Sequence, residues 1–385
     1  MNFQGSFRAS FLLDNKDRIM YNNFMKKEFN NKVLIAMSGG VDSSVAAVLM
    51  VDEGYDVAGA TLKLFDNEDI GLKPSRTCCS LDDVEDAKSV AFKLGFPHYT
   101  FNFKEEFIKK VITKFGQEYK EGKTPNPCID CNRYIKFEKL IDKAVALGFD
   151  RIVTGHYARV EYDEERDRYL LRKSQDPLKD QTYVLYNLTQ DQLSRTMFPM
   201  EGMTKEEARK IAEDRDLINA RKPDSQDICF VPDGDYEKFL REELNISAGK
   251  GNFVDLEGNI LGQHEGHIHY TIGQRKGLGI ALGKPTYVVK IDPKKNEVVL
   301  GDNSDLYTEE MVVGDLNMIM IDKLDEPMEV EVKTRYSQKA TKATITPMED
   351  EKIHAKFHTP IRAVTPGQAA VFYDGEYVVG GGTIE

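Results

Sequence analysis

Residues 36–43, Ala36-Met37-Ser38-Gly39-Gly40-Val41-Asp42-Ser43, hold the densest chemistry of this 385-residue chain. They follow the apolar run Val33-Leu34-Ile35, so a buried strand runs into a glycine turn that opens onto a helix. Successive backbone N–H groups in such a turn form an anion nest, and the helix N-terminus adds partial positive charge. Gly39 and Gly40 let the backbone approach a phosphate with no Cβ in the way. Ser38 and Ser43 add hydroxyl donors. Asp42 would repel phosphate unless a cation lay between them, which implies Mg²⁺. The string lacks the Gly-Lys-Ser/Thr of a Walker loop and is not a Rossmann fingerprint.

Sulfur supplies the second set of reactive groups. Thr124-Pro125-Asn126-Pro127-Cys128-Ile129-Asp130-Cys131-Asn132 reads as a rigid loop opening a helix, because the prolines restrict themselves and the residues before them. Cys131 then sits near a helix N-terminus, where its thiolate is stabilised, which suits a nucleophile or a metal ligand. Cys229 stands far along the chain in Asp224-Ser225-Gln226-Asp227-Ile228-Cys229-Phe230-Val231. Cys78-Cys79 precede a helix and read either as small residues at its start or as a pair with a redox or cluster role. Five cysteines without a secretory segment indicate thiol or metal chemistry rather than a disulfide scaffold, and a cytoplasmic location.

The elements that must position these groups alternate from Lys32 to about Ala158. Strands are expected at 33–37, 57–65, 98–103 and 151–158. Helices are expected at 43–53, from 81 to Gly95, at 104–121 and at 132–147. This alternation predicts an α/β doubly wound parallel sheet with helices on both faces and ligands at the carboxyl ends of its strands. Residues 159–240 are mixed, with a capping box of Thr204 and Glu207 starting one more helix. Beyond about residue 248 short alternating runs and turn residues take over, as in the hairpin around Asp374-Gly375. The expected organisation is an N-terminal extension (1–31), a catalytic domain (32–240), a small central β-rich module (241–305) and a C-terminal β-barrel (306–385).

Composition is that of an ordinary globular chain, with 41% hydrophobic and 30% charged residues. No run approaches the ~20 apolar residues of a membrane span. A net charge of −12 taken alone argues against a nucleic-acid partner, although charge can be segregated locally. His264, His267 and His269 suggest a polar strand face rather than a completed zinc site. Arg275-Lys276 in a glycine-rich loop reads equally as a phosphate contact or an exposed turn.

Ser-Gly-Gly-Val-Asp-Ser resembles the pyrophosphate loop of the N-type ATP pyrophosphatases, which split ATP between the α and β phosphates. Further motifs follow in order. Pro125 to Phe137 fits Pro-Asn-Pro-x-x-x-Cys-Asn-x-x-Ile-Lys-Phe, and 224–230 fits Asp-Ser-x-x-Ile-Cys-Phe. Gly262-Gln263-His264 and Tyr270-Thr271-Ile272-Gly273-Gln274-Arg275-Lys276-Gly277-Leu278-Gly279 come next. Together, over roughly residues 32–385, these resemble the tRNA-uridine 2-sulfurtransferases, or tRNA 2-thiouridylases.

The resemblance implies ATP and Mg²⁺ as cofactors, with ATP contacts at Ala36, Met37, Ser38, Gly39, Gly40, Val41, Asp42, Ser43, Leu62 and Gly155. It implies that the wobble uridine of a tRNA is adenylated on its 2-oxygen and then attacked by sulfur. Cys229 carries that sulfur as a persulfide, Cys131 assists its release, and a Cys131–Cys229 disulfide results. The sulfur comes from a donor such as a cysteine desulfurase or a sulfur carrier. The flipped base meets Asn126, Pro127 and Cys128, and His156, Lys179, Asp180, Gln181, Arg335, Tyr336 and Gln368 fall at tRNA-facing positions. Many family members have Asp where this chain has Cys128. Cys128, Cys131 and Cys229 are therefore also candidate thiolate ligands of a 4Fe–4S cluster whose open iron binds sulfide. A ligase or amidating enzyme of the ATP pyrophosphatase class, acting on a small metabolite, would explain the loop and the acidic charge, but not the two cysteine motifs or the β-rich half.

Overall fold

The computed structural model describes residues 29–65, 81–224, 228–231 and 234–385. Cys78, Cys79 and the Ser80 cap, and nearly all of the N-terminal extension, lie outside the described residues. In chain order come β1 (Lys32–Ala36), β2 (Asp56–Lys63), β3 (His98–Asn102) and β4 (Arg151–Thr154). The hairpin β5 (Arg159–Asp163) and β6 (Arg168–Arg172) and the short β7 (Thr196–Met197) follow. A five-stranded sheet runs in the order β3-β2-β1-β4-β7, with every pair parallel.

Both faces of the central strand are covered, as a parallel sheet requires. Leu34 joins a cluster with Phe65, Phe107 and Ile152 on one side, while Val33 and Ile35 join Val45, Val48 and Val153 on the other. Val33, Leu34 and Ile35 have no exposed surface. Burying each such side chain contributes about 1.5–3 kcal/mol. The helix Val41–Asp52 packs into the second cluster, and Gly54 at φ +82 ends it in a left-handed conformation that glycine adopts without strain.

Two boundaries differ from the sequence expectation for physical reasons. The helix expected at 132 begins at Pro127, with Asn126 as its N-cap, and continues to Ala146 through a π-helical stretch at Cys131–Lys139. Proline suits the first helical position because the N–H it lacks would be unpaired there. Cys131 consequently lies in the second turn rather than at the opening, and Cys128 takes the N-terminal place. Strand β4 stops at Thr154 rather than at 158 because Gly155 turns over the glycine loop. A Cβ on Gly155 would stand 2.6 Å from the Asp42 carbonyl carbon and the Ser43 nitrogen.

Beyond the sheet lie the helices Lys205–Asp214 and Tyr236–Glu242, the first opened by the Thr204–Glu207 capping box. Strands β8 (Gly251–Val254), β9 (Ile260–His264), β10 (Tyr287–Asp292) and β11 (Glu297–Gly301) form a small sheet over Phe253, Val288, Val298 and Leu300. His267 and His269 do not share a strand face, since they lie in a 3-10 turn after Gly266. His267 is buried, with Nδ1 3.0 Å from Asn296 Oδ1 and Nε2 3.2 Å from the Lys120 carbonyl oxygen.

The last strands are β12 (Tyr307–Met318), β13 (Met328–Lys333), β14 (Thr341–Pro347), β15 (Ile353–Arg362), β16 (Ala369–Asp374) and β17 (Tyr377–Ile384). Strand β12 pairs with both β15 and β17, which closes these six strands into a barrel. The β5–β6 hairpin from the first half extends the barrel sheet through Tyr377↔Arg172. Asn317 donates to the carbonyls of Tyr186 (2.7 Å) and Leu188 (3.0 Å), and Tyr183 donates its hydroxyl to Ala369 (3.0 Å), fastening barrel to α/β half. No described helix is long and apolar enough to cross a membrane.

Candidate active site

The glycine turn leaves β1 at Ala36 and is braced from behind. The Met37 amide donates to Ala60, and the Thr61 hydroxyl donates to the Met37 carbonyl at 2.8 Å. Gly39 has φ +71, and a Cβ there would lie 2.4 Å from the Asp83 carbonyl oxygen. Glycine is therefore required both by conformation and by space. Asn219, buried, donates to the carbonyls of Gly39 (2.9 Å) and Gly40 (3.2 Å) and to Ser44 Oγ (2.8 Å). Because the N–H of a peptide points opposite to its C=O, holding these carbonyls down turns the amides of Gly40 and Val41 the other way. Gly40 caps the helix with no side-chain acceptor, so the helix N-terminus keeps amides for a ligand. Ser43 Oγ accepts from the Ser38 amide at 3.2 Å, Leu62 is buried on β2, and Gly155 packs against the loop.

Charge around the turn is paired into one network. Asp42 Oδ1 accepts from the Tyr157 hydroxyl (2.9 Å) and from Lys205 Nζ (2.6 Å). Lys205, whose side chain is 9% exposed, also bonds Asp224 Oδ1 at 2.7 Å. Lys179 (3.0 Å) and Arg209 (3.2 Å) complete the shell around Asp224. Burial alone pushes the Asp224 carboxyl up, but the hydrogen bonds from Lys205 and Lys179 outweigh it and hold it below the ordinary carboxylate range. Lys222 bridges Asp83 (2.5 Å) and Asp86 (2.6 Å). Lys205, Arg209, Lys222 and Asn219 were not among the residues singled out from sequence. The Thr204–Glu207 box marked where a helix starts, but nothing local says that Lys205 points inward.

The loop carrying the thiols is clamped by both β-rich parts. The Thr124 amide donates to Pro366 (2.9 Å), and Gln368 Nε2 donates to the Thr124 carbonyl (2.6 Å). Thr124 Oγ1 reaches Thr271 Oγ1 of the central module at 3.5 Å. Asn126 Oδ1 accepts from the Cys128 amide at 3.2 Å, and Pro127 is buried. Cys128 is exposed, Cys131 buried and Cys229 half-buried, and none is disulfide-bonded. Cys131 belongs to the large apolar cluster that Cys229 packs against. The helical run 104–120 carries both segments. Lys114 holds Asp130, beside Cys131, at 2.9 Å, and Phe115 meets Phe230, beside Cys229, edge-on with centroids 5.3 Å apart. Among the described residues no group of three or more His, Cys, Asp or Glu is placed to hold a metal ion, so the three thiols do not form a cluster-ligating set in this arrangement. Asp42 fits one carboxylate ligand of a nucleotide-bound Mg²⁺, whose remaining ligands are typically phosphate oxygens and water.

The tRNA-facing set divides. Tyr336 is exposed, meets Tyr183 edge-on with ring centroids 6.1 Å apart and lies under Lys333 Nζ at 5.6 Å. Burial chiefly, then Asp180 and the neighbouring Cys128, push its phenol up. Tyr336, Lys333 and Cys128 thus share one surface. Asp180 is instead buried, accepting from Thr182 Oγ1 (2.8 Å) and the Ser174 amide (3.3 Å), and burial raises its carboxyl. Arg335 Nη2 donates to Ile272 (2.9 Å), Ala363 (3.1 Å) and Thr365 Oγ1 (2.6 Å), which staples the central module to the barrel. Gln181 Oε1 accepts from the Tyr157 amide at 2.9 Å, and Lys179 is engaged with Asp224. His156 sits between Phe137 and Phe198 with Nδ1 2.8 Å from Thr154 Oγ1. Burial, reinforced by Lys136, pushes it well below the usual histidine range, so it is neutral at physiological pH.

A glycine turn at the carboxyl end of a doubly wound parallel sheet, followed by a β module and a closed barrel, defines a nucleotide-binding α/β protein of the HUP class with β-rich appendages. The tRNA methyl transferase HUP domain family matches residues 31–233, its PRC-barrel domain 237–302, and an aminomethyltransferase β-barrel domain 308–384. Relatives named tRNA-specific 2-thiouridylase MnmA are 56% identical over 92% of this chain and 99% of theirs in Acetivibrio thermocellus. One in a Thermoanaerobacter species is 53% identical over 94% and 99%, and one in Clostridium tetani is 52% identical over 94% and 100%. The chain belongs to the tRNA-specific 2-thiouridylase family.

Proposed function

We propose that this protein is an ATP-dependent tRNA-uridine 2-sulfurtransferase acting on the wobble uridine. One observation carries the reading. The segment 219–224 is bonded to the glycine turn at one end and leads directly into Cys229 at the other. Five residues reach at most ~18 Å when extended, so the thiol is tethered close to the nucleotide site.

The chemistry follows from these parts. The amides of Gly40 and Val41 and the start of the helix Val41–Asp52 hold the phosphates, and Asp42 supplies a carboxylate for the Mg²⁺ that accompanies ATP. The uracil 2-oxygen attacks the α-phosphorus, and pyrophosphate leaves into the turn. The terminal sulfur of a Cys229 persulfide then bonds to uracil C2 and expels AMP. The Cys131 thiolate attacks Cys229 Sγ and breaks the bond to the transferred sulfur. The products are 2-thiouridine and a Cys131–Cys229 disulfide, which an external dithiol, or two thiols, reset by taking the disulfide bond themselves. A persulfide-bearing donor, a cysteine desulfurase or a sulfur carrier, reloads Cys229. Disulfide formation needs an S–S distance of about 2 Å, so the two thiols, unbonded here, must come together during turnover. Tyr336, Lys333 and Cys128 form the surface that receives the flipped base. The cytoplasm, which holds ATP and tRNA, is the location we infer.

The full chain incubated with ATP, a persulfide donor and a tRNA transcript is expected to yield 2-thiouridine in the nucleoside mass spectrum. AMP formation with no thiolated nucleoside would point instead to the small-metabolite ligase. Iron measured in anaerobically purified protein decides between the persulfide and a 4Fe–4S route: the persulfide reading expects none, and stoichiometric iron with a broad visible band would replace it.

A further inference from the structure

We propose that Tyr157 and Lys205 make Asp42 a one-oxygen ligand, fitted to Mg²⁺ and poorly fitted to Ca²⁺. Both donors end on the same atom. The Tyr157 hydroxyl lies 2.9 Å and Lys205 Nζ 2.6 Å from Asp42 Oδ1. Among the described residues no hydrogen bond ends on Oδ2, and the Asp42 side chain is 32% exposed. Oδ2 is therefore the oxygen left for a cation. Both donors are themselves held. Asp224 grips Lys205 at 2.7 Å and is in turn bonded by Lys179 and Arg209. Tyr157 is buried, and Gln181 fixes its backbone twice, accepting from its amide at 2.9 Å and donating to its carbonyl at 3.0 Å. Gly155, two residues before Tyr157, packs against the Asp42 backbone with no room for a Cβ. The carboxylate cannot turn both oxygens to one ion without giving up these bonds. Mg²⁺ demands near-octahedral angles, which the narrow bite of a two-oxygen carboxylate does not give, whereas the larger Ca²⁺ readily accepts a carboxylate through both oxygens. Tyr157 and Lys205 are thus positioning residues, which act through Asp42 and set which cation it suits.

The inference rests on the reading of the turn as the ATP site. Its test uses the full chain and needs no turnover. The probe is α,β-methylene-ATP, which cannot be cleaved between its α and β phosphates. Its Kd is measured by equilibrium dialysis in saturating Mg²⁺ and in saturating Ca²⁺. The wild type is expected to bind more tightly with Mg²⁺. Tyr157→Phe is expected to shrink that preference about threefold to tenfold, the range set by the loss of one hydrogen bond. Lys205→Met has the same expectation, so failure of one variant to fold leaves the other to decide. A merely structural role would weaken binding with both metals by one factor and leave their ratio unchanged. An unchanged ratio in the variants, or a wild type without the preference, overturns the inference and leaves the proposed function standing. A wild type that binds the nucleotide with neither metal sinks it together with the site reading.

Discussion

The α/β half and the barrel bury different things. Around the glycine turn the interior holds Lys205, Asp83 and Asn219, and beside Cys131 it holds Asp130, each paired or hydrogen-bonded. The barrel closes instead over Val313, Val330, Val332, Ala355, Phe372 and Val379. Buried charge is a poor source of stability, since desolvation offsets most of the attraction, but removing one partner is costly. Apolar packing stabilises in proportion to area and is indifferent to chemistry. The contrast teaches that one half is built to hold anions and thiols in place, and the other to hold itself and the loop it touches.

Substitutions should separate the halves. The largest effect belongs to the thiols: Cys131→Ala and Cys229→Ala each abolish 2-thiouridine formation while tRNA binding by filter retention persists. Thiolation surviving in either variant would contradict the proposed chemistry. Next, Asp42→Ala is expected to lower thiolation by roughly 10²–10³-fold, the scale of losing a group that stabilises transition-state charge, with RNA binding intact.

In the barrel the effect should move from rate to stability. Phe372 is fully buried, and Phe372→Ala should cost about 3–5 kcal/mol in a denaturant titration. Thiolation per folded molecule should stay near wild type, and a rate loss without a stability loss would erase the contrast between the halves. The smallest effect is on pH. Burial pushes Glu118 up to about 7, only partly countered by Lys114. A raised carboxyl binds more protons folded than unfolded, so its contribution to stability is lost as pH rises from about 4.5 to 7. Glu118→Gln should flatten the melting temperature over that window, and an unchanged slope would show that Glu118 titrates as if exposed.

Much of the α/β core was legible because strands 33–37 and 57–65 are apolar runs closed by turn residues, and their pairing partners follow from alternation. The strand–turn–helix order around Gly39 and Asp42 was legible by residue type and order. The helix start at Pro127 was misread because a proline near a helix looks like a stop when the N-cap Asn126 is not weighed. The β5–β6 hairpin was missed because its partner, β17, lies near the other end of the chain. Arg335 reads from the resemblance as a tRNA-facing cation until its three acceptors, in two separate stretches, Ile272 and 363–365, are seen.

What the sequence by itself determined is the local chemistry: a strand, a glycine turn and a helix in succession, and thiols set beside proline and aromatic residues, because backbone preference and short-range periodicity act within a few residues. What only the tertiary structure decided is who faces whom. Lys205 finds Asp42 and Asp224, Asn219 finds the carbonyls of the turn, and the barrel grips Thr124. Those pairings join distant stretches of chain, and they form only when burial of the two halves has already brought their backbones together.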